Sequence, residues 1–207
     1  MVDPPLFVLG TGNRKKGLEL RELLEPMGLR IQTLADYASA LAVEETGDSF
    51  AANAALKAIR QARHLNRWVL GEDSGLVVDA LGGAPGIFSA RYAGPGATDP
   101  QNNERLLVEL GETPPPRRTA HYVCHVTLAD PQGNIRAESE AVCRGRIRTK
   151  PAGSGGFGYD PLFEVVEYHR TFGELGPAVK AVLSHRARAV EQLRMPLLQL
   201  IDSGQWT

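Results

Sequence analysis

The sequence predicts an α/β fold, and three local patterns support this prediction. Residues 6–9 form a short apolar run without alternation, as expected of a buried strand, and a glycine-containing loop follows at residues 10–13. The apolar residues that come next have the spacing of one helix face, in a helix that ends near Gly28: Leu20, Leu23, Leu24 and Met27. Residues 119–129 alternate between two faces, which predicts a strand. A chain of 207 residues is long enough for one large domain or for two small lobes that share a cleft.

The other elements are predicted from apolar patterns, caps and turn residues. Residues 29–34 form a second strand, and an alanine-rich helix spans residues 49–64, with Thr46 and Asp48 as candidate caps. Four further elements complete the prediction: a helix capped by Thr98 or Asp99, a turn at 130–134, a return strand at 135–148 and a final helix capped by Ser184.

Composition and charge exclude several classes of protein. Hydrophobic residues make up 43% of the chain, and 23 basic residues face 24 acidic ones, so no overall charge attracts nucleic acid or an anionic membrane. No apolar segment approaches the roughly 20 residues of a spanning helix, and residues 1–5 lack the features of a signal peptide. Cys124 and Cys143 have no metal-ligand spacing and are expected to be reduced. We therefore expect a cytoplasmic protein that binds neither nucleic acid nor a membrane.

Two pairs of adjacent carboxylates suggest a metal site. Glu72 and Asp73 follow an apolar run and lie between glycines, in residues 71–75, which predicts a strand that ends in an acidic turn. Glu44 and Glu45 precede the alanine-rich helix. One alternative is a solvated acidic turn. Because carboxylate oxygens are the ligands that hard divalent cations prefer, the two pairs together predict a metal site completed from both segments.

Basic residues occupy the first turn of two predicted helices. Arg14, Lys15 and Lys16 follow the glycine loop, and His185 and Arg186 open the final helix. Cations at this end oppose the helix dipole and cost a few tenths of a kcal/mol each, roughly. A bound polyanion would reverse that cost, so phosphate binding is predicted at residues 14–16, with a solvated basic turn as the alternative. At His185 and Arg186 an anionic or carbonyl-bearing ligand would have the same effect. Neither a Walker P-loop nor GxGxxG follows the first strand.

The loop at residues 151–163 combines many glycines with aromatic side chains. Phe157 and Tyr159 stand among these glycines, and a flexible linker would not need them. The pattern favours a backbone that approaches a flat ligand, with one aromatic ring to stack on it and Asp160 as a fixed hydrogen-bond acceptor. A nucleotide base is such a ligand.

These motifs together resemble those of the HAM1/inosine triphosphate pyrophosphatase family. The matching stretches run in family order over nearly the whole chain: residues 11–16, 44–47, 53–57, 73–76, 82–92, 155–161 and 184–186. The resemblance implies a Mg²⁺-dependent hydrolase that converts ITP, dITP and XTP to the monophosphate and pyrophosphate. It also implies a cytosolic homodimer, and an elongated mixed β-sheet flanked by helices, in two lobes with the active-site cleft between them. We assign residues 1–207 to a single domain of this kind.

The resemblance also implies the roles of individual residues. Asp73 is the proton acceptor, and Lys57 joins it as a catalytic residue. The metal ligands are Asp73, Glu44 and Glu45. The residues that bind the triphosphate are Thr11, Gly12, Asn13, Arg14, Lys15 and Lys16. The residues that hold the base are Phe157, Gly158, Tyr159 and Asp160. Ser74 also contacts the substrate, and the nucleotide site is completed by Lys180, His185 and Arg186. Family members commonly have Asp where this chain has Glu72, which leaves the role of that carboxylate open.

The expected chemistry is attack of water near Asp73 on the α-phosphorus, with Mg²⁺ and the basic residues stabilising the pyrophosphate that leaves. Selectivity is expected at the 6-oxo group of the base, which His185, Arg186 or backbone N–H groups can bond, whereas adenine presents a donor there. Two alternatives remain: a Maf-like nucleotide pyrophosphatase with another base preference, and a non-catalytic nucleotide-binding module.

Overall fold

The computed structural model describes residues 6–206, so the prediction for residues 1–5 lies outside the described part of the chain. Within residues 6–206 the strands are β1 (Leu6–Leu9), β2 (Arg30–Thr33), β3 (Val69–Val78), β4 (Thr119–Ala129), β5 (Ile135–Ile147), β6 (Phe163–Val165) and β7 (Arg170–Thr171). The α-helices in the same range are α1 (Arg14–Leu24), α2 (Phe50–Leu65), α3 (Asp99–Leu110), α4 (Phe172–Leu183) and α5 (His185–Asp202).

The strands form a mixed sheet in the order β2-β1-β3-β4-β5-β6-β7. β1 pairs with β2 and with β3 in parallel, whereas β6 pairs with β5 and with β7 in antiparallel fashion. The parallel part follows from strand–helix–strand connections through α1 and α2, and β4 and β5 are joined by the predicted turn at residues 130–134. The predicted α/β class, with a mixed sheet flanked by helices, is confirmed.

The chain divides into two compact units, each with its own core. Unit 1 comprises residues 6–73, 124–141 and 186–206 of the described chain, and unit 2 comprises residues 74–123 and 142–185. In unit 1, apolar residues of β1, β3 and β4 pack with those of α1 and α5. In unit 2, Tyr122, Phe163 and Phe172 pack with apolar residues of α3. The assignment of residues 1–207 to one domain stays a prediction.

The predicted helices are present, with one corrected cap. Asn13 caps α1 by accepting hydrogen bonds from the backbone N–H groups of Lys15 and Lys16. α2 begins at Phe50 because Ser49 has extended backbone geometry and its hydroxyl accepts from the N–H of Ala52. Thr46 and Asp48, which we predicted as caps, lie in the preceding segment, so that prediction is wrong. The predicted cap of α3 at Thr98 is confirmed. Ser184 ends α4 and directly precedes α5, so its role as the cap of α5 stays a prediction.

The acidic turn predicted after residue 70 does not exist. β3 continues to Val78, and Glu72 and Asp73 lie in its middle. Gly71 allows this arrangement because a Cβ atom there would lie 2.2 Å from the carbonyl oxygen of Ala54. Helix α2 therefore packs directly on β3 at the acidic pair, and successive strand residues direct the two carboxylates to opposite faces of the sheet.

The prediction of reduced cysteines agrees with the structure. Cys124 and Cys143 are free, buried thiols. They belong to the core of unit 1 and the core of unit 2, respectively. Among the helices described in residues 6–206, none combines the length and apolar character needed to cross a bilayer.

Candidate active site

The carboxylate of Asp73 is held at both oxygens by one face of α2. The amide of Asn53 donates to Oδ2 at 3.3 Å, and the ammonium of Lys57 donates to Oδ1 at 3.0 Å. Asn53 and Lys57 lie one helical turn apart, so their side chains reach the same place on β3. Asp73 is 4% exposed. Its carboxylate is therefore fixed in orientation and nearly removed from water.

The segment before α2 supplies a second carboxylate to this group. Lys57 Nζ also contacts Glu45 Oε1 at 3.0 Å, so one ammonium lies between the carboxylates of Glu45 and Asp73. Glu44 is exposed, and no ion pair of its side chain occurs in residues 6–206. In the same range no three His, Cys, Asp or Glu side chains are grouped to hold a metal ion. The structure thus brings together two of the three predicted ligands.

The environment changes the proton affinity of both catalytic candidates. Burial raises the pKa of Asp73 above its ordinary value, although Lys57 and Lys16 act in the other direction. For Lys57, burial lowers the pKa, but the negative charges of Asp73, Glu72 and Glu45 outweigh it and leave the pKa raised. Lys57 therefore stays charged, while Asp73 is a stronger base than an exposed aspartate. That is the property required of a general base near neutral pH.

On the other face of β3, Glu72 joins the first turns of α1 and α5. Its Oε2 lies 3.1 Å from Lys16 Nζ, and its Oε1 accepts from Arg186 Nη2 at 3.0 Å. Glu72 is fully buried, and Arg186 also pairs with Glu19. The thiol of Cys124 donates to Glu72 Oε1 at 3.6 Å. Two of the cations that oppose the helix dipoles, Lys16 and Arg186, are therefore paired with carboxylates of the protein.

Four of the predicted triphosphate-binding residues line a cavity of about 340 Å³: Thr11, Gly12, Asn13 and Arg14. Arg21, two turns into α1, lines it as well, next to the residues that follow β2. The volume is within the range of small-ligand sites. Lys16 instead pairs with Glu72. Of the basic residues in this turn, Arg14 therefore lines the cavity and Lys16 contacts a buried carboxylate.

In unit 2, the predicted base-binding residues are organised around Asp160. Its Oδ2 accepts from Lys180 Nζ at 2.5 Å and from the backbone N–H of Phe157 at 2.8 Å. Its Oδ1 accepts from the hydroxyl of Tyr122 at 3.4 Å. The ammonium of Lys180 also lies 4.3 Å from the ring centre of Phe157, which is a cation–π contact. Asp160 therefore fixes the loop, and the aromatic ring of Phe157 is half-buried at its surface.

The remaining predicted residues of unit 2 are held by neighbouring elements. The ring of His185 stacks on Tyr122, with centroids 4.6 Å apart and an angle of 10° between planes. The hydroxyl of Tyr159 donates to the carbonyl of Ser89 at 2.9 Å, and burial raises its pKa. Gly158 donates its N–H to a carboxylate oxygen of Asp99 at 3.0 Å. Ser74, in β3, is half-buried.

Three residues around these groups had no assigned role in the sequence analysis. Asn53 stood in a matched stretch, and its spacing of four from Lys57 was a usable signal for a shared site. Glu72 was predicted only as a member of the acidic pair, and its individual role was left open. Tyr122 contacts both His185 and Asp160, but the alternation of β4 indicated only a buried face.

Known proteins resemble this chain over nearly its whole length. The model of the Ham1 family matches residues 7–195. A dITP/XTP pyrophosphatase from Rhodopirellula baltica is 54% identical over 198 residues, which cover 96% of this chain and 95% of that protein. A dITP/XTP pyrophosphatase from Geobacillus kaustophilus is 46% identical over 187 residues, covering 90% and 91%. The solved structure of a HAM1 protein from Coxiella burnetii matches with a TM-score of 0.85 and 36% identity, covering 94% of this chain and 99% of that one.

Proposed function

The chain belongs to the Ham1 family, and we propose that it hydrolyses non-canonical purine nucleoside triphosphates, namely ITP, dITP and XTP, to the monophosphate and pyrophosphate. The relatives that match it over at least nine-tenths of their length are named dITP/XTP pyrophosphatases. The observation that carries the proposal is the buried carboxylate of Asp73, held at both oxygens beside a second carboxylate. Such an enzyme removes deaminated purines from the nucleotide pool.

Asp73 is proposed as the general base. It accepts a proton from the water that attacks the α-phosphorus, and pyrophosphate leaves. The raised pKa of Asp73 brings its basicity closer to neutral pH, and the contacts from Asn53 and Lys57 hold its carboxylate in one orientation. Lys57 is proposed as the second catalytic residue, because its raised pKa keeps a positive charge beside the reacting phosphate.

A divalent cation is proposed as the cofactor, with Mg²⁺ as its identity. The donor set fits, because magnesium sites commonly use one or two carboxylates together with substrate phosphates. Glu45 and Asp73 already surround one positive charge, that of Lys57, and Glu44 lies in the same segment as Glu45. When bound, such a cation supplies Lewis-acid stabilisation of the phosphate charge.

The triphosphate is proposed to bind at residues 11–16. The loop after β1 leads into the start of α1, where the helix dipole favours anions. Arg14 and Lys15 are exposed there, whereas Lys16 is held by Glu72. The cations of Arg14, Lys15 and Lys16 are proposed to stabilise the charge that builds up on pyrophosphate as it leaves. Ser74, next to Asp73, is proposed as a further substrate contact.

The base is proposed to bind to unit 2. Phe157 offers a ring for stacking, Lys180 lies against that ring, and Gly158, Tyr159 and Asp160 follow in the same loop as further proposed contacts. His185, held flat against Tyr122, is proposed to bond the 6-oxo group, together with Arg186. A 6-oxo group accepts hydrogen bonds, so donors at this position favour hypoxanthine and xanthine over adenine.

We also propose that the protein is a cytoplasmic homodimer. Sedimentation equilibrium tests the dimer, because a dimer has twice the mass of the chain. A mass equal to that of a single chain across the working concentration range would contradict it.

The function is tested by steady-state turnover of dITP, XTP, dUTP and dTTP, with pyrophosphate and orthophosphate detected separately. We expect pyrophosphate as the direct product and a clear preference for the two purines. Asp73→Asn should abolish most of this turnover, whereas Asp202→Asn, which changes an exposed carboxylate at the end of α5, should not. A preference for the pyrimidines would favour the Maf-like alternative, and full activity of Asp73→Asn would favour the binding module.

A further inference from the structure

We propose that Asn53 is a positioning residue, which holds the segment of residues 44–47 against Asp73 so that Glu45 and Asp73 bind the same divalent cation. The inference rests on the proposed function above. It concerns how this chain builds its metal-binding group, and Asn53 itself touches neither substrate nor metal.

The amide of Asn53 joins the two segments that supply the carboxylates. Asn53 is fully buried. Its Oδ1 accepts from the backbone N–H of Gly47 at 2.8 Å, and its Nδ2 donates to Asp73 Oδ2 at 3.3 Å. The orientation of the amide follows from chemistry, because a backbone N–H only donates and a carboxylate only accepts. One side chain with both a donor and an acceptor is therefore required here.

Gly47 shows how closely the segment approaches the helix. A Cβ atom on Gly47 would lie 2.7 Å from the Cβ of Ala52 and 2.8 Å from Asn53 Oδ1. The backbone of residues 44–47 therefore lies directly on the first turn of α2, where the hydrogen bond to Asn53 fixes it. Because Glu45 is two residues away from Gly47, this bond also limits where the carboxylate of Glu45 can lie.

Asn53 and Lys57 hold Asp73 in complementary ways. Lys57 carries a charge and lies between the carboxylates of Glu45 and Asp73. An ammonium and a divalent cation repel each other, so a cation that binds these carboxylates weakens the contacts of Lys57. The amide of Asn53 is neutral and has no such conflict. It is therefore the contact that keeps Asp73 in place in both states.

The chain offers a matched control on the same helix face. Gln61 lies two turns further along α2 and is also buried. Its amide bonds the same segment at an earlier point, accepting from the N–H of Leu41 at 3.2 Å and donating to the carbonyl of Leu41 at 2.6 Å. Neither bond involves Asp73. Loss of Gln61 thus removes a comparable buried amide without touching the carboxylate.

The test compares Asn53→Leu and Gln61→Leu, which replace each amide by an apolar side chain. Binding of Mn²⁺ is measured by calorimetry in the presence of α,β-methylene-dITP, which cannot be cleaved, and kcat and KM for dITP are measured separately. Residues that orient metal ligands typically change metal affinity by about 10–100-fold. We expect a loss of that size for Asn53→Leu, with a lower kcat and little change in KM for dITP at saturating metal. For Gln61→Leu we expect unchanged Mn²⁺ affinity and kcat, with a lower melting temperature.

Equal effects of the two variants on Mn²⁺ affinity, or no effect of Asn53→Leu, would overturn the proposal. If Asn53→Leu does not fold, Asn53→Ser replaces it, since a serine hydroxyl is too short to bridge both partners, and the same expectations apply. The proposed function fails separately, when the unmodified protein releases no pyrophosphate from dITP. The comparison of Mn²⁺ affinities remains decisive in that case.

Discussion

Replacing Glu72 by Gln removes a buried charge that pairs with the first turns of both α1 and α5. Gln keeps the shape of the side chain, but its amide is neutral and one of its ends can only donate. Lys16 and Arg186 then share a buried position without the carboxylate that now lies 3.1 Å and 3.0 Å from them. Arg186 retains Glu19, whereas the contact of Lys16 with Glu72 is lost.

The expected cost is about 3–5 kcal/mol of unfolding free energy, which is typical when one partner of a buried ion pair is removed. We expect the lower end, because Glu19 still pairs with Arg186. For a chain of this length, 1 kcal/mol corresponds to about 2–4 °C, so the melting temperature should fall by roughly 6–12 °C. Glu72→Asp keeps the charge but is one methylene shorter, so its cost should lie between that of Gln and zero.

The assay is urea unfolding followed by circular dichroism, with Lys16→Met as the second arm of a double-mutant cycle. Lys16→Met should recover part of the loss in the Glu72→Gln background, because it removes the cation that has no partner. Glu22→Gln, an exposed position on α1, serves as the control and should stay within about 0.5 kcal/mol of the unmodified protein. A loss below about 1 kcal/mol for Glu72→Gln, or additive effects in the cycle, would refute the reasoning.

Three further predictions concern packing, a charged turn and a thiol. Gly71→Ala would place a Cβ atom 2.2 Å from the carbonyl oxygen of Ala54. We expect it to lower the free energy of unfolding by at least about 2 kcal/mol. A loss below about 0.5 kcal/mol would contradict the direct packing of α2 on β3. Burial acts to raise the pKa of Asp130, but hydrogen bonds in its turn outweigh this and leave the pKa below the ordinary value of 3.8. The charged Asp130 therefore stabilises the fold above that pH. Asp130→Ala should lower the free energy of unfolding by about 2 kcal/mol at neutral pH, and this difference should shrink as the pH falls towards acid unfolding. A difference that stays constant with pH would contradict this. Burial, with the charge of Glu72, raises the pKa of the Cys124 thiol well above its ordinary value. A thiol reagent should therefore label Cys124 only after unfolding. Rapid labelling of Cys124 in the native protein, mapped by mass spectrometry, would contradict this.

The sequence indicated the local elements well because their signals are local. The helix face of α1 and the alternation of β4 each depend on residues within a few positions of one another. The same holds for the cations of the first turns, whose places on α1 and α5 were predicted correctly. The carboxylate that pairs with these cations could not be predicted, because Glu72 and Arg186 are 114 residues apart in the sequence.

The error at β3 has the same physical origin. Two adjacent charges predict the end of a strand only when water must solvate them. Glu72 and Asp73 instead find cations on helices that are distant in sequence, so the strand continues through them. Helix α4 was missed for a different reason, since Gly176 has a φ of 78° and Pro177 follows it inside the helix, which breaks the apolar period.

The sequence allowed us to predict which residues belong to the candidate site, but few of the contacts between their side chains. The spacing of Asn53 and Lys57 placed both on one helix face, but nothing local indicated that the face lies against Asp73. Asp160 was expected to bond a base, whereas its oxygens hold Lys180, Tyr122 and the loop backbone. Partners of buried charges are a property of the tertiary fold, and a single sequence does not display them.

The central claim is that Asp73 directs water to the α-phosphorus, and the most direct test is hydrolysis of dITP in water enriched in heavy oxygen, with mass analysis of both products. The account predicts one heavy oxygen in dIMP, none in pyrophosphate, and no direct release of orthophosphate. Heavy oxygen in pyrophosphate, or orthophosphate as the first product, would contradict attack at the α-phosphorus.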